Sequence, residues 1–299
     1  MIEIPPAFAG RLIAREGAAG RTWIASLPAL VGQICAGWGL EIDGAPMAET
    51  VAIVIPVRRG DDRAALKLGF PTALNGQEVI GLRAWDGRGV VKLLDVDPGR
   101  SALLLEWLDA ARPLSMVPLM ASADIAGRLI RRLAVPVPCG APLEVQVLAD
   151  RASTLVATLS ERWERAGRPF PESLLSRAIG IAVEIGPRAA ETLANWDLHH
   201  GNVLAGTREP WLVIDPMIVA GDPEVSVFPM VVRRLDEMAG PAVLREFLAR
   251  VVAAGGLDPE LTTAWLRVRA VDYWLWALGI GLTEDPVRCA RLVDWLGPE

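Results

Sequence analysis

The sequence predicts an α+β protein of two lobes, a small mixed lobe built on a β-sheet followed by a larger, mostly helical one. Three observations lead there. The first hundred residues alternate short β-branched runs with turn signals. The remainder carries long segments with apolar residues at helical spacing. A chain of 299 residues, 52% hydrophobic and 22% charged, is long enough to bury a sizeable core as one large domain or two lobes. No repeat or low-complexity stretch interrupts it.

Residues 1–45 read as a helical lead-in that closes at Gly39 and the turn "EIDGAP", where Asp43-Gly44 is a strong turn signal. The uncharged run "TWIASLPALVGQICAGWGL" (22–40) is too interrupted for a membrane span, by Pro28, Gly32, Gln33, Gly37 and Gly39. Trp23, Leu27, Leu30, Val31 and Ile34 instead mark one face of an amphipathic helix. It also starts too late, behind Glu3 and Glu16, for a signal peptide. "TVAIVIPVRR" and "RAALKLGF" around "RGDD" make a hairpin, and Val79, Leu82 and Trp85 mark a helix over 74–85. "GRGVVKLLDVD" and "RSALLLEWL" are further strands split by Asp97-Pro98-Gly99.

After Leu108 the character changes. Residues 148–167, 171–185, 241–256 and 262–282 are helical by period and length, and "NVLAG" and "PWLVIDP" are the two segments that read as strands. The expected organisation is an N-terminal nucleotide-binding lobe over 1–105, a hinge over 106–109 and a helical lobe over 110–299, with a ligand crevice between lobes.

Several function classes are excluded by composition. A formal charge of −6 disfavours nucleic acid and anionic membranes as partners, which require a basic face, and suits a cationic small molecule better. Cys35, Cys139 and Cys289 are odd in number and widely spaced, so neither disulfides nor a zinc knuckle is expected and a reducing cytoplasm fits. A monomer is expected.

Chemistry concentrates in "NWDLHHGNVL" (195–204). Asp197 and Asn202 stand in a D-x-x-x-x-N spacing, and a strand later "WLVID" puts Asp215 at a strand end. One carboxylate free to act as base beside an Asn and an Asp suits a magnesium-nucleotide site, because magnesium takes few protein oxygens and completes its shell with phosphate and water. The same layout in protein kinases requires a strand lysine paired with a glutamate on the following helix. The chain has two lysines against 28 arginines, and one of them, Lys67, sits mid-strand in "AALKL", with Glu78 on the next predicted helix. Lysine where arginine is otherwise used points to a need for a compact charge.

With "LKLGFP", "LRAWDGRGVVKLLDVD", "ALLLEWLD", "ERWERAGRPFP", "DLHHGNVL" and "REPWLVIDPMIVAGDP" in order, the chain resembles the aminoglycoside phosphotransferase family of the protein-kinase-like fold, within it the streptomycin 6-kinase and hydroxyurea phosphotransferase group. The resemblance implies a bilobal kinase-like fold, ATP as donor, Mg2+ as cofactor and a hydroxyl of a cationic aminoglycoside, such as the streptomycin 6-hydroxyl, as acceptor, with antibiotic resistance as the outcome. It implies Asp197 as catalytic base, Asn202 and Asp215 as metal ligands, Lys67 as phosphate clamp and Glu78 as its orienting partner. Glu106 to Leu108 would form the hinge whose backbone meets adenine, and "MAETVAI" would cover the phosphates.

Two departures stand out. The family writes His-Gly-Asp where this chain has Asn195-Trp196-Asp197, and Ser226 takes the place of a carboxylate after Gly-Asp-Pro. They keep open a nucleotide-binding protein without turnover, or a phosphotransferase for another small hydroxyl compound such as hydroxyurea. Elsewhere the expectations are structural. His199 would scaffold the loop and His200 would be exposed; Lys92 would be a solvated strand residue. Trp265, Tyr273, Trp274 and Trp276 would be helix core, and Asp222, Glu224, Asp236 and Glu237 a solvated acidic face. Asp272, a carboxylate on an apolar helix, requires a partner, which a cationic substrate could supply.

Overall fold

A long helix, α1 (Pro6–Trp38), opens the chain, kinked at Gly17 (φ 61°, ψ −128°) and stopped by Gly39 in the left-handed conformation that glycine adopts without a steric penalty (φ 63°). The computed structural model describes residues 2–48, 50–71, 75–138, 145–188 and 192–297. It divides into two units, Met1–Leu108 and Asp109–Glu299.

In the first unit β1 (Glu41–Ile42), β2 (Met47–Ala48), β3 (Ala52–Arg59), β4 (Asp62–Gly69), β5 (Leu93–Asp97) and β6 (Ala102–Glu106) form an antiparallel sheet ordered β1-β3-β4-β6-β5, with β2 also on β3. Ile53, Ile55 and Val57 alternate along β3, as do Leu66 and Leu68 on β4, so their side chains share one face. That face joins Phe8, Leu12, Leu27, Val31 and Ile34 of α1 in one core. Trp23 bridges the helix and the sheet, its ring edge-on to both Phe8 and Phe70. Lys67 therefore projects from the other face.

Helix α2 (Asn75–Trp85) follows, with the expected residue Leu74 outside the described residues. The strand expected over 87–97 shrinks to β5, because Asp86, Gly87 and Gly89 all adopt positive φ (46°, 75° and 75°) and break the extended chain. Lys92 is exposed just before β5.

The second unit contains β7 (Asp109–Pro113), α3 (Leu119–Leu133), α4 (Leu148–Arg165), α5 (Glu172–Ile185), β8 (Leu193–Asn195), β9 (Val203–Ala205), β10 (Trp211–Val213), β11 (Ile218–Ala220), α6 (Val227–Val232), α7 (Pro241–Gly255), α8 (Pro259–Gly279) and α9 (Glu284–Leu296). Strands pair as β10-β9-β7 and β11-β8. Strands β7, β8 and β11 go beyond the two predicted here; at three to five residues they are too short for a period to register. Leu155, Leu159 and Trp163 of α4, Leu175 and Ala178 of α5, and Trp265, Val268 and Val271 of α8 form this unit's core.

Some expectations are corrected. Asp222 and Glu224 are buried rather than solvated: Asp222 Oδ2 accepts from the Trp265 indole N–H at 2.8 Å, and Glu224 Oε1 accepts from the Asp258 amide at 3.0 Å. Trp265 is fully buried as expected, but Trp276 is 46% exposed. Asp272 is paired by Arg162 at 2.7 Å rather than left for a substrate cation. Cys35 and Cys289 are buried free thiols, and Cys139 lies outside the described residues. Among the described residues no helix is long and apolar enough to cross a membrane.

Candidate active site

In the first unit Lys67 lies mid-way along β4, its Nζ 3.0 Å from each Glu78 oxygen, and Glu78 sits in the first turn of α2. The side chains are only 8% and 12% exposed. Glu106 ends β6, donating its amide to the Lys92 carbonyl at 2.9 Å, and Leu108 is buried. Met47 and Ala48 of the segment expected over the phosphates pair with β3, while Glu49 lies outside the described residues.

In the second unit the loop after β8 is held from beneath. Asn195 is fully buried, and its Oδ1 accepts from two backbone amides, Asp197 at 3.1 Å and Met217 at 3.2 Å. The Asn195 amide in turn donates to Ser226 Oγ at 3.2 Å. Two of the three residues that depart from the family pattern, Asn195 and Ser226, thus bond each other and fix the backbone at Asp197. Trp196 is fixed as well: its amide donates to the Met217 carbonyl at 2.7 Å, and its own carbonyl accepts from Arg269 Nη1 at 3.1 Å.

Past Asp197 the chain turns. Gly201 donates its amide to His199 Nδ1 at 3.1 Å, and Asn202 donates its amide to the His199 carbonyl at 2.9 Å. His199 Nε2 lies 4.0 Å from Asp197 Oδ2, and the Asn202 side chain reaches the Asp197 carbonyl at 3.4 Å. His200, expected at the surface, is 1% exposed, with Nε2 3.0 Å from Ser122 Oγ. The Ser122 hydroxyl donates to the Leu119 carbonyl at 2.6 Å, so Ser122 receives hydrogen bonds from His200 Nε2–H and from Arg234. Burial and the Arg234 charge push the imidazole down to about 3, so it is neutral.

The hairpin of β9 and β10 pairs Val203 with Val213, and the Ile214 amide closes onto the Asn202 carbonyl at 2.8 Å. Asn202 and Asp215 therefore flank one end of it, with Asp215 exposed in a left-handed conformation (φ 49°) that non-glycine residues adopt mainly where function or tight turns demand it. An amide oxygen and a carboxylate from these two positions would make a hard, incomplete donor set. This fits magnesium, which keeps waters and substrate phosphates in its shell. Among the described residues no three His, Cys, Asp or Glu side chains gather into a cluster that could cage a metal.

Burial raises the Asp197 carboxyl above its ordinary value; His199, Arg233 and Arg269 act against that, and Asp215 adds to it. Arg269 and Arg151 were not anticipated. Their guanidiniums lie over the Trp196 ring, 3.4 and 4.1 Å from its centroid. A signal existed for Arg269: a charge inside the apolar stretch "RVRAVDYW" requires a buried partner. Beside Trp196 lies a cavity of about 440 Å³ whose walls include Gln146, Asp150, Arg151, Thr154 and Asp272.

A family model described as aminoglycoside/hydroxyurea antibiotic resistance kinase matches residues 37–281. The chain belongs to that family. Among relatives of this resistance-kinase chain, a streptomycin 6-kinase of Streptomyces glaucescens is 36% identical over 94% of this chain and 92% of its own length. A hydroxyurea phosphotransferase of Kitasatospora aureofaciens is 39% identical over 99% of this chain and 86% of its own. The resistance-kinase fold also aligns with a thermostable mutant of an aminoglycoside phosphotransferase solved with ADP and hygromycin B, at TM-score 0.63 and 12% identity, covering 90% of this chain and 99% of that one. A choline kinase of Streptococcus pneumoniae aligns at TM-score 0.58 and 12% identity, over 90% and 98% of the two chains. The fold is thus the α+β kinase-like fold, and the chain is an enzyme, a phosphotransferase.

Proposed function

We propose that this chain transfers the γ-phosphoryl group of ATP to a hydroxyl of an aminoglycoside-type antibiotic, with streptomycin as the leading acceptor. The observation that carries the reading is the loop in which Asp197 is fixed through its own backbone while its side chain stays 43% exposed and free to meet an acceptor. Streptomycin 6-kinases at 36% and 35% identity support the choice of acceptor.

In this reading Asp197 takes the proton of the acceptor hydroxyl as its oxygen attacks the γ-phosphorus, and the bond from that phosphorus to the β–γ bridging oxygen breaks, releasing ADP. The environment that makes Asp197 more basic than a free carboxylate suits that role. Lys67, oriented by both oxygens of Glu78, offsets phosphate charge. Asn202 and Asp215 would hold magnesium, which would offset negative charge on the phosphates. The backbone from Glu106 to Leu108 serves as the hinge that receives adenine. The protein would work as a monomer in the cytoplasm.

A second acceptor, hydroxyurea, is favoured by the 39% identity to a hydroxyurea phosphotransferase. The size of the cavity next to Trp196 favours a ring-sized acceptor over a urea-sized one. Binding without turnover, the reading that the departures kept open, is disfavoured because Asn195 and Ser226 together brace the loop that carries Asp197. The test incubates purified protein with labelled ATP, magnesium and either streptomycin or hydroxyurea, and reads phosphorylated product by mass. Product from streptomycin, lost in Asp197→Asn while ATP still binds, supports the reading; no product from either compound removes it.

A further inference from the structure

The catalytic roles proposed above leave unused a charge inside the second unit. Arg269 lies on α8 and is buried, and burial lowers its pKa only to about 9, so it remains a cation at neutral pH. A buried charge is costly unless it is paired and hydrogen-bonded. Asp272 and Asp197 favour this one electrostatically and Arg151 opposes it. Its hydrogen bonds go to backbone: Nη1 donates to the Trp196 carbonyl at 3.1 Å and to the Val225 carbonyl at 3.4 Å. The guanidinium lies 3.4 Å from the centroid of the Trp196 ring and 5.0 Å from that of Phe228.

These contacts converge on the peptide group that precedes the proposed base. The Trp196 carbonyl and the Asp197 amide belong to one planar unit. Its carbonyl accepts from Arg269, and its N–H donates to Asn195 Oδ1 at 3.1 Å, so the plane is held at both ends. That restrains the chain as it enters Asp197, and with it the direction in which the Asp197 side chain leaves the backbone. Val225 precedes Ser226, whose Oγ accepts from the Asn195 amide at 3.2 Å, so the same guanidinium also ties down the turn that holds Asn195. The indole serves the cation in return. With the family's glycine at position 196, Arg269 would keep its carbonyls but lose the aromatic face beneath it.

We propose that Arg269 is a positioning residue for phosphoryl transfer, that it acts on Asp197 through the Trp196–Asp197 peptide, and that Trp196 and Arg269 work as one unit. The proposal rests on the phosphotransferase reading above, in which Asp197 is the base. Arg269 need touch neither nucleotide nor acceptor to play this part. Misplacing a reacting group by about 1 Å costs up to about a hundredfold in rate, so a loosened peptide is read in kcat while substrate affinity is spared.

The test reads kcat per folded molecule at saturating ATP and streptomycin, or hydroxyurea where wild type uses that instead, with folded protein counted by nucleotide-binding titration. In Arg269→Met kcat should fall at least tenfold, with the KM for ATP and for the acceptor within threefold of wild type. Arg269→Lys keeps the charge but gives up the planar face that lies on the indole, and should fall between the two, at least threefold below wild type. Trp196→Gly should lower kcat at least fivefold, although it installs the family's residue. The double variant Trp196→Gly/Arg269→Met should lie within twofold of the lower single variant, because the second change removes a partner already lost. A kcat within twofold of wild type in Arg269→Met, or a loss confined to KM, overturns the positioning role. Losses that multiply in the double variant, or wild-type kcat in Trp196→Gly, overturn the coupled unit. Where melting shows that Arg269→Met does not fold, Arg269→Lys supplies the reading, and wild-type kcat there overturns the proposal. Wild-type protein that phosphorylates neither compound is a different failure, that of the activity itself, and takes this proposal with it.

Discussion

Burial raises the Asp197 carboxyl above its ordinary 3.8, Asp215 raises it further, and His199, Arg233 and Arg269 oppose the shift. The proposed base works ionised, so kcat/KM should fall as pH drops through a value above the usual aspartate range, and a pH–rate profile reads that acid limb directly. The stability consequence has the opposite sense. A carboxyl raised in the folded state favours folding below its unfolded pKa, and that contribution is lost as pH rises through the folded value. Asp197→Asn should therefore melt higher than wild type at neutral pH, with the gain shrinking in acid, while activity is lost; a lower melting point at neutral pH would contradict the assignment. His200 is lowered instead, from 6.5 to about 3, by burial and by Arg234. Its contribution is complete above pH 6.5 and drains as pH falls toward 3, by up to about 1.4 kcal/mol per pH unit. Thermal melts from pH 7 to pH 4 should show a slope in wild type that flattens in His200→Gln. Neither shift was legible in the sequence. The residue types and order of Lys67, Glu78, Asp197, Asn202 and Asp215 were, but the burial that decides their protonation is a property of long-range packing, which placed His200 inside against the expectation of exposure.

At the scale of elements, the segments with sustained period were legible: α1, the β3–β4 hairpin, α4, α5, α7 and α8 all occur near their predicted places. Strands β8 and β11 were not, since three residues such as "LAN" carry no period and become a strand only by pairing Asn195 with Ile218. That pairing also puts the Asn195 side chain within reach of the Met217 amide, so part of the site depends on an element the sequence conceals. Helix α3, equally unanticipated, packs on α7 through glycine. A Cβ at Gly127 would meet the Val251 carbonyl oxygen at 2.4 Å and Ala254 Cβ at 2.8 Å. Backbone gives way less readily than a side chain, so Gly127→Ala should force the helices apart and destabilise by about 1–3 kcal/mol, outweighing the helix-propensity gain of up to about 1 kcal/mol. Denaturant melts check this; Gly10→Ala in α1, where a Cβ meets nothing within 4 Å, is the control expected to be neutral or better.

For the molecule as a whole, the proposed nucleotide site makes stability depend on ligand. A ligand that binds only the folded chain stabilises it by about 2.7 kcal/mol at a hundredfold excess over Kd, which for a chain of this size is a rise in Tm of roughly 4 °C. ATP with magnesium should produce that rise, and ATP with EDTA a smaller one if Asn202 and Asp215 bind through the metal. Lys67 allows the ligand effect to be separated from the fold. Its ammonium and the Glu78 carboxylate are nearly buried at 3.0 Å, so Lys67→Met takes the ammonium from beside a nearly buried carboxylate and should lower the unliganded Tm, equivalent to about 3–5 kcal/mol. Adding Glu78→Gln removes that carboxylate's charge and should recover most of the loss. The double variant should nevertheless show little nucleotide-induced rise, because the cation proposed to meet the phosphates is gone. If it melts like wild type and still gains the full increment from ATP and magnesium, Lys67 is a structural ion-pair partner and the phosphate clamp lies elsewhere in the chain.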